Sequence, residues 1–190
     1  NKIRKLEYLL GQAVENDAEY VFTYGATQSN HAMQTAAACR KLGLKPVLYL
    51  LDFVDTDASN CKGNLLLDKI FGAEVHIIKT LPDETLFDSK ERYMAYARSH
   101  MQKLEAAGHK CYSVPLGGSN FIGTTGFVAG YVELEEQLAV EGITADFIFH
   151  ANGSGGTMAG LAIGKKLLDS STTIISVDAA EHSADFMDEM

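Results

Sequence analysis

The sequence of 190 residues is 46% hydrophobic and 22% charged, and its 16 basic and 25 acidic residues give a formal net charge of −9. This composition is typical of a globular chain that forms one large hydrophobic core or two small ones. The acidic balance, with no Lys/Arg-rich stripe to offset it, argues against a nucleic-acid partner. No apolar stretch is long enough to span a bilayer and no signal-peptide pattern is present, so no membrane partner is expected either.

Apolar residues recur along the chain in a pattern that predicts strands separated by helices. The predicted helices cover residues 1–13, 30–42, 61–71, 87–107, 126–140 and 156–168. The predicted strands cover residues 21–24, 46–51, 73–79, 110–114, 146–150 and 172–178. This alternation predicts an α/β fold with a parallel sheet and helices on both of its faces. A Gly-rich loop at 115–125 is expected to connect two lobes.

The three cysteines and the two chain ends support further predictions. Cys39, Cys61 and Cys111 are widely spaced and odd in number, which favours reduced thiols and a cytoplasmic protein. The chain begins at Asn1 inside a charged helical pattern and ends at Met190 shortly after a strand-like segment. We therefore expect an internal piece of a longer protein.

The turn formed by residues 25–31 joins the first predicted strand to a helix rich in small residues. The first N–H groups of a helix have no intrahelical acceptor, and the macrodipole makes that end positive. Such a turn is suited to a carboxylate or a phosphate. Ser29 and Asn30 are equally suited to cap the helix, and the two interpretations are compatible.

A second turn, at residues 153–157, follows the fifth predicted strand and opens a helix. Its glycines allow backbone amides to approach a phosphate closely. Together with Asp178, the turn partly matches a dinucleotide-binding fingerprint, but Met158 stands where the third Gly or Ala belongs. The spacing predicts a phosphate site without naming the cofactor.

Lys2 and Lys5 lie one helical turn apart, close to a helix N-terminus, where positive charge is disfavoured. A local misfit of this kind hints at function. A lysine close to other cations, such as Arg4, has a lowered pKa and becomes a competent amine for a Schiff base.

The histidines give no signal of a metal site. The five that lie outside the turn at 25–31 show no HExxH or comparable spacing, and no metal is expected. They are His76, His100, His109, His150 and His182.

Three segments together, at residues 1–8, 28–37 and 153–157, resemble pyridoxal-phosphate enzymes of the tryptophan-synthase-β fold type. The resemblance is specifically to the D-cysteine desulfhydrase and 1-aminocyclopropane-1-carboxylate deaminase family, and it covers essentially the whole chain. It implies a two-lobed, three-layer parallel-sheet α/β fold, present here as an internal fragment. Residues 1–19 would belong to the large lobe and carry the cofactor lysine, 20–115 would form the small lobe, and 116–190 would belong to the large lobe with the phosphate loop.

The resemblance also implies pyridoxal 5′-phosphate as cofactor and assigns roles to residues. Lys2 would carry the cofactor covalently, and Asn30 would hydrogen-bond its 3-hydroxyl group. The phosphate would be bound by Lys5, Gly153, Ser154, Gly155, Gly156 and Thr157. The substrate carboxylate would be bound by Gln28, Ser29, Asn30 and His31. Ser29 is a further candidate for proton transfer.

The expected reaction is β-elimination from a small amino acid such as D-cysteine, giving pyruvate, ammonia and sulfide. His31 and the segment 117–120 resemble the desulfhydrases more than the deaminases. Thr27, Met33 and Asn152 depart from the residues usual in the family, so 1-aminocyclopropane-1-carboxylate deaminase and L-cysteate sulfo-lyase are alternatives. A nicotinamide-dinucleotide oxidoreductase and a non-catalytic phosphate-binding module are alternatives from other classes. Members of the family are typically homodimers, which we expect here.

Overall fold

The structure, a computed structural model, describes residues 2–53, 56, 61–81 and 86–179, with the backbone alone at 86–88. Asn1 and His182 lie outside the described residues. The helices are α1 (Ile3–Glu15), α2 (Asn30–Lys41), α3 (Gly63–Ile70), α4 (Leu86–Ala106), α5 (Phe121–Glu141) and α6 (Gly156–Leu167). The strands are β1 (Tyr20–Ala26), β2 (Lys45–Asp52), β3 (Glu74–Lys79), β4 (Cys111–Ser113), β5 (Phe147–Asn152) and β6 (Thr173–Asp178).

All strand pairs in the described part of the chain are parallel. Four strands form a sheet in the order β3-β2-β1-β4, and β5 pairs with β6. The parallel α/β fold predicted from the alternation of patterns is confirmed. The chain divides into two compact units, of which unit 1 holds residues 3–8 and 117–179, and unit 2 holds residue 2 and residues 9–116. The division into lobes at 1–19, 20–115 and 116–190 stays a prediction.

Unit 2 is a three-layer arrangement around β2, which is buried along almost its whole length. On one face of the sheet, Phe22 and Tyr49 pack with Tyr93 of α4. On the other face, Leu48 and Leu50 pack with Ala36 of α2 and Leu65 of α3. A strand buried on both faces explains why its sequence is continuously apolar rather than alternating.

Unit 1 brings α5 and α6 close together through glycines. A Cβ atom on Gly160 would lie 2.5 Å from the Cβ of Phe127 and 2.7 Å from the main-chain oxygen of Thr124. A Cβ on Gly164 would lie 2.6 Å from the Cβ of Tyr131. These distances are shorter than side chains tolerate, so only glycine permits this approach.

The segment predicted as a Gly-rich loop at 115–125 is shorter than expected. After a 3₁₀ turn at Leu116–Gly118, α5 begins at Phe121, where the Asn120 side chain accepts a hydrogen bond of 2.9 Å from the Gly123 amide. Glycines inside α5 resemble helix breakers in the sequence. Gly126, however, is required for contact, because a Cβ there would collide with the main-chain oxygen of Arg4.

Unit 2 buries the carboxyl group of Asp68, a residue without a role in the predicted site. Asp68 of α3 is 1% exposed, and within the described part of the chain neither of its carboxylate oxygens has a hydrogen-bond partner. Burial raises the pKa of Asp68 from 3.8 to about 7, because the charged form is poorly solvated there.

Among the described residues, no helix combines the length and the apolar character needed to cross a bilayer.

Candidate functional site

The turn between β1 and α2 is organised around Ser29. Its side chain accepts a hydrogen bond of 3.2 Å from the Ala32 amide, which confirms that Ser29 caps α2. A Cβ on Gly25 would lie 2.7 Å from both Cβ and Oγ of Ser29, so the turn closes tightly only with glycine at that position. Because the Ser29 hydroxyl oxygen accepts from the helix, its own hydrogen is available to donate to a bound group.

Gln28 and Asn30 connect this turn to the start of α3 through Asn64. The Asn64 amide donates to Oε1 of Gln28 at 2.9 Å, and Asn64 Nδ2 donates to the Gln28 carbonyl at 2.9 Å and to Asn30 Oδ1 at 2.8 Å. Gln28 Nε2 donates to the Lys62 carbonyl at 3.2 Å. The N-termini of α2 and α3 are therefore joined by side chains.

Asn64 was not predicted as part of the site. It lies 34 residues after Asn30 in the chain, and no spacing rule connects the two. The local signal was Gly63, which directly precedes Asn64 and has a φ of +56°. A side chain at position 63 would collide with Gln28.

His31 lies beneath the turn rather than on its surface, since it is only 5% exposed. The Thr23 hydroxyl donates to the Val114 carbonyl at 3.1 Å and lies 2.9 Å from His31 Nε2. A hydroxyl has one hydrogen, so His31 Nε2 carries a proton and donates it to Thr23. The imidazole ring therefore supports the turn from the interior.

Lys2 occupies the N-cap position of α1 and is half-buried. Burial lowers the pKa of the Lys2 ammonium group, because desolvation disfavours its charged form. The lowered pKa of Lys2 was predicted to come from neighbouring cations, but its cause in the structure is burial. Arg4 forms an ion pair with Glu133 in unit 1.

The loop before α6 contains a second cluster, centred on Lys5. This lysine is 1% exposed, and its Nζ donates to Ser119 Oγ at 2.8 Å and to the Gly117 carbonyl at 3.3 Å. Ser119 Oγ in turn lies 2.5 Å from Ser154 Oγ. A Cβ on Gly156, the first residue of α6, would lie 2.6 Å from Lys5 Nζ.

The cluster concentrates positive charge at one end of a helix. Gly155 caps α6 with a φ of +76°, and the first amides of that helix contribute the positive end of its macrodipole. The buried ammonium group of Lys5 lies at the same end. A cation and a helix N-terminus together favour a bound anion. One hydroxyl hydrogen joins Ser119 to Ser154, and the other remains available as a donor.

The structure thus brings together Lys5, Ser154 and Gly156 in unit 1, with Gly153, Gly155 and Thr157 in the same loop. It brings together Gln28, Ser29 and Asn30 in unit 2. Ser119 belongs to the segment 117–120 that resembles the desulfhydrases, and no role is predicted for it. In the structure it forms the hydrogen-bond link between Lys5 and Ser154.

The family described as "Pyridoxal-phosphate dependent enzyme" matches residues 1–190. The chain belongs to this family.

Proteins similar to this member of the pyridoxal-phosphate-dependent family are known from several organisms. A Thermotoga maritima protein, provisionally named 1-aminocyclopropane-1-carboxylate deaminase, is 41% identical over 186 residues, which are 98% of this chain and 55% of that protein. D-cysteine desulfhydrase of Serratia proteamaculans is 38% identical over 189 residues, which are 97% of this chain and 54% of that enzyme. The chain spans about half the length of the curated relatives it matches.

A solved structure, described as a homologue of 1-aminocyclopropane-1-carboxylate deaminase, is also similar. It has 38% sequence identity and a TM-score of 0.81, and the match covers 99% of this chain and 53% of that one. This likeness confirms the resemblance and the fold class expected from the three sequence segments.

The residues present fit the phosphate group of pyridoxal phosphate. The fit rests on the buried Lys5 ammonium group and on Gly156, where a Cβ would collide with Lys5 Nζ and Ser119 Oγ, so that only glycine lets the start of α6 come this close to the ammonium group. Both features match a dianionic group held at a helix N-terminus.

Proposed function

We propose that the whole protein is a pyridoxal-phosphate-dependent lyase that acts on a small amino acid. The expected reaction is β-elimination from a substrate such as D-cysteine, giving pyruvate, ammonia and sulfide. The observation that carries this proposal is the buried Lys5 ammonium group at the N-terminus of α6, beside Gly156. Membership of the family and the names of the similar proteins give the reaction class.

Unit 1 would bind the cofactor phosphate. Lys5 Nζ would donate a charge-assisted hydrogen bond, and the loop residues Gly153, Ser154, Gly155, Gly156 and Thr157 would donate through their amides. Ser119 would hold Lys5 in place through the existing contact of 2.8 Å. When bound, pyridoxal phosphate supplies an electron sink for charge that develops on the substrate.

Lys2 would supply the reactive amine. The burial that lowers its pKa increases the fraction of neutral amine, which is the form that would hold the cofactor covalently. The same nitrogen, in its neutral form, would accept the proton from the substrate's Cα. Desolvation therefore serves both the nucleophilic role and the basic role of one atom.

The turn at residues 28–31 would hold the substrate carboxylate at the N-terminus of α2. Ser29 has a hydroxyl hydrogen to donate, and it is the candidate for proton transfer beside Lys2. Asn30 would hydrogen-bond the cofactor's 3-hydroxyl group while Asn64 holds its side chain. Gln28 and His31 would act by fixing the turn, because their side chains bond to α3 and to Thr23. Holding the carboxylate fixes which bond at Cα breaks.

The names of the two relatives indicate two different substrates. We favour β-elimination from D-cysteine, on the Gln-Ser-Asn-His turn that ends at His31. The alternatives are 1-aminocyclopropane-1-carboxylate deamination, supported by the Thermotoga maritima relative and the solved homologue, and L-cysteate sulfo-lyase activity.

The test of cofactor attachment uses the full-length protein loaded with pyridoxal phosphate and reduced with borohydride. Peptide mapping by mass spectrometry is expected to find the reduced cofactor on Lys2. Lys2→Ala should abolish this labelling, whereas Lys110→Ala, which removes an exposed lysine paired with Asp17, should leave it intact. Labelling of another lysine in the wild-type protein would overturn the assignment.

The test of reaction type compares release of pyruvate and 2-oxobutyrate from three substrates at equal protein loading. D-cysteine should turn over fastest, followed by L-cysteate and 1-aminocyclopropane-1-carboxylate. Turnover of the cyclopropane substrate without any of D-cysteine would replace the desulfhydrase proposal with the deaminase alternative.

We also infer a cytoplasmic homodimer. The three cysteines are thiols rather than disulfide partners, which supports a reducing compartment. Dimerisation rests on the family resemblance alone. Light scattering of the full-length protein during size exclusion should report twice the chain mass, and a monomer mass would refute this inference.

A further inference from the structure

A cavity of about 340 Å³ opens in unit 2 beside β3 and α4. Its lining includes Tyr49, Glu74, His76, Tyr96, His100 and Lys103. None of these residues has a place in the proposed cofactor and substrate chemistry. Two imidazoles, a carboxylate and two phenols therefore lie together in one small cavity.

Three side chains in this cavity point their ligand atoms at one another. Glu74 Oε1 lies 2.7 Å from His76 Nε2 and 3.8 Å from His100 Nε2. All three ligand atoms lie within 4.8 Å of one another. In a tetrahedral zinc site with bonds of about 2.0–2.1 Å, ligand atoms are about 3.3 Å apart. Shifts of about 1.5 Å or less in partly exposed side chains would therefore reach that geometry.

The backbone explains why the cluster forms. Glu74 and His76 are two residues apart on β3, so their side chains leave the same face of the sheet. His100 comes from α4, which packs on that face. The sequence spacing predicted no metal site, because the third group lies 24 residues beyond the second and on a different element.

Tyr49 orients both histidines. Its ring stacks on His76 at a centroid distance of 4.5 Å and an interplanar angle of 12°. Its hydroxyl lies 3.2 Å from His100 Nδ1. A metal-binding imidazole typically donates its second N–H to such a group, which leaves the other nitrogen as the ligand. Here that contact at Nδ1 directs Nε2 of His100 towards Glu74.

We propose that Glu74, His76 and His100 form a binding site for a zinc ion that joins β3 to α4. Two imidazoles and one carboxylate are a ligand set that zinc accepts, with a water molecule in the fourth position. The site would stabilise the face of the sheet on which it lies, because a bound ion favours the folded state over the unfolded one.

Lys103 allows a further test of the proposed zinc site. Its side chain lines the same cavity, so its positive charge opposes a bound cation and would favour a bound anion. Lys103→Ala should therefore tighten zinc binding severalfold. Weaker zinc binding in this variant would overturn the proposal.

The main experiment is calorimetric titration of the full-length holoenzyme with zinc sulfate, using matched variants. The wild-type protein should bind zinc at this site, and His76→Gln and His100→Gln should each weaken the binding by at least about 100-fold. Tyr49→Phe, which keeps the ring and removes the hydroxyl, should weaken it about 10-fold to 100-fold. His109→Gln is the control, because His109 also lies beside a carboxylate, that of Glu19, but outside this cavity.

Thermal unfolding gives a second readout. Zinc should raise the unfolding temperature of the wild-type protein and of His109→Gln, and it should leave the temperature of His100→Gln unchanged. Equal zinc affinity in the wild-type protein, His76→Gln and His100→Gln would overturn the proposal. An equal loss in His109→Gln would do the same. Neither outcome would affect the cofactor assignment, which is tested by labelling at Lys2.

Discussion

The substitution Gly156→Ala tests the phosphate site most directly. It places a methyl group 2.6 Å from Lys5 Nζ, 2.7 Å from Ser119 Oγ and 3.1 Å from Ser119 Cβ. Ordinary contact begins near 3.4 Å, so Lys5 Nζ must move away by about 0.8 Å and Ser119 Oγ by about 0.7 Å. The contact between Lys5 and Ser119, and the place of a bound phosphate oxygen beside them, would both be disturbed.

The expected loss of stability depends on which atoms have to move. Both end flexible side chains, so we expect the free energy of unfolding to fall by only about 1 kcal/mol. A hydrogen bond to a charged group contributes about 1.5–3 kcal/mol. Loss of the one from Lys5 should therefore raise the Kd for pyridoxal phosphate about 10-fold to 100-fold. Fluorescence titration of the cofactor-free full-length protein measures that Kd, and urea unfolding measures the stability.

Gly160→Ala is the matched control, one helical turn further along α6. Its methyl group would meet the Cβ of Phe127 and the main-chain oxygen of Thr124, neither of which can move easily. This variant should lose more stability than Gly156→Ala while its folded fraction keeps the wild-type Kd. If Gly156→Ala binds the cofactor as tightly as the wild-type protein, the phosphate site lies elsewhere.

Three further substitutions test other parts of the structure. Asp68→Asn removes a carboxyl whose burial raises its pKa from 3.8 to about 7. The wild-type fold holds that proton and loses stability, by at most about 4 kcal/mol, as the pH rises from about 4 through 7. Urea midpoints of the variant should lack this fall, and parallel curves would contradict the buried acid. Asn64→Ala should raise KM for the amino-acid substrate about fivefold to tenfold, because the Gln28 carbonyl loses its donor. The Kd for pyridoxal phosphate, measured by titration, should rise by a smaller factor than KM, because Asn30 loses the same donor; a Kd that rises as much as KM would refute the role of the turn in binding the substrate. Arg4→Met should leave the urea midpoint almost unchanged, since the ion pair with Glu133 is exposed; a clear fall of the midpoint would contradict this.

Much of the fold could be predicted because the strands and helices carry strong local signals. β2 is continuously apolar and β1 ends in a capped turn, so both elements were located to within a few residues. The start of α5 was missed by five residues, because Gly123 and Gly126 weaken the helical pattern. A side chain at Gly126 would collide with Arg4, and periodicity contains no information about such contacts.

The candidate site also contains residues that local sequence patterns predict and residues that only packing brings together. Lys5, Ser154 and Gly156 belong to motifs whose residues are close in sequence, and the structure brings them together. Asn64 joins the turn at 28–31 from another helix, and His100 meets Glu74 across the face of a sheet. Such meetings depend on how the chain packs. The burial of His31 is also a packing result, since it depends on the distant residues Thr23 and Val114.

The buried ammonium group of Lys5 has a consequence for the life of the protein in the cell. A phosphate bound by this cation and the positive end of α6 would favour the folded state over the unfolded one. Newly made chains should therefore be more prone to proteolysis until they are loaded. We expect their abundance to follow the supply of vitamin B6, without any change in transcription or translation.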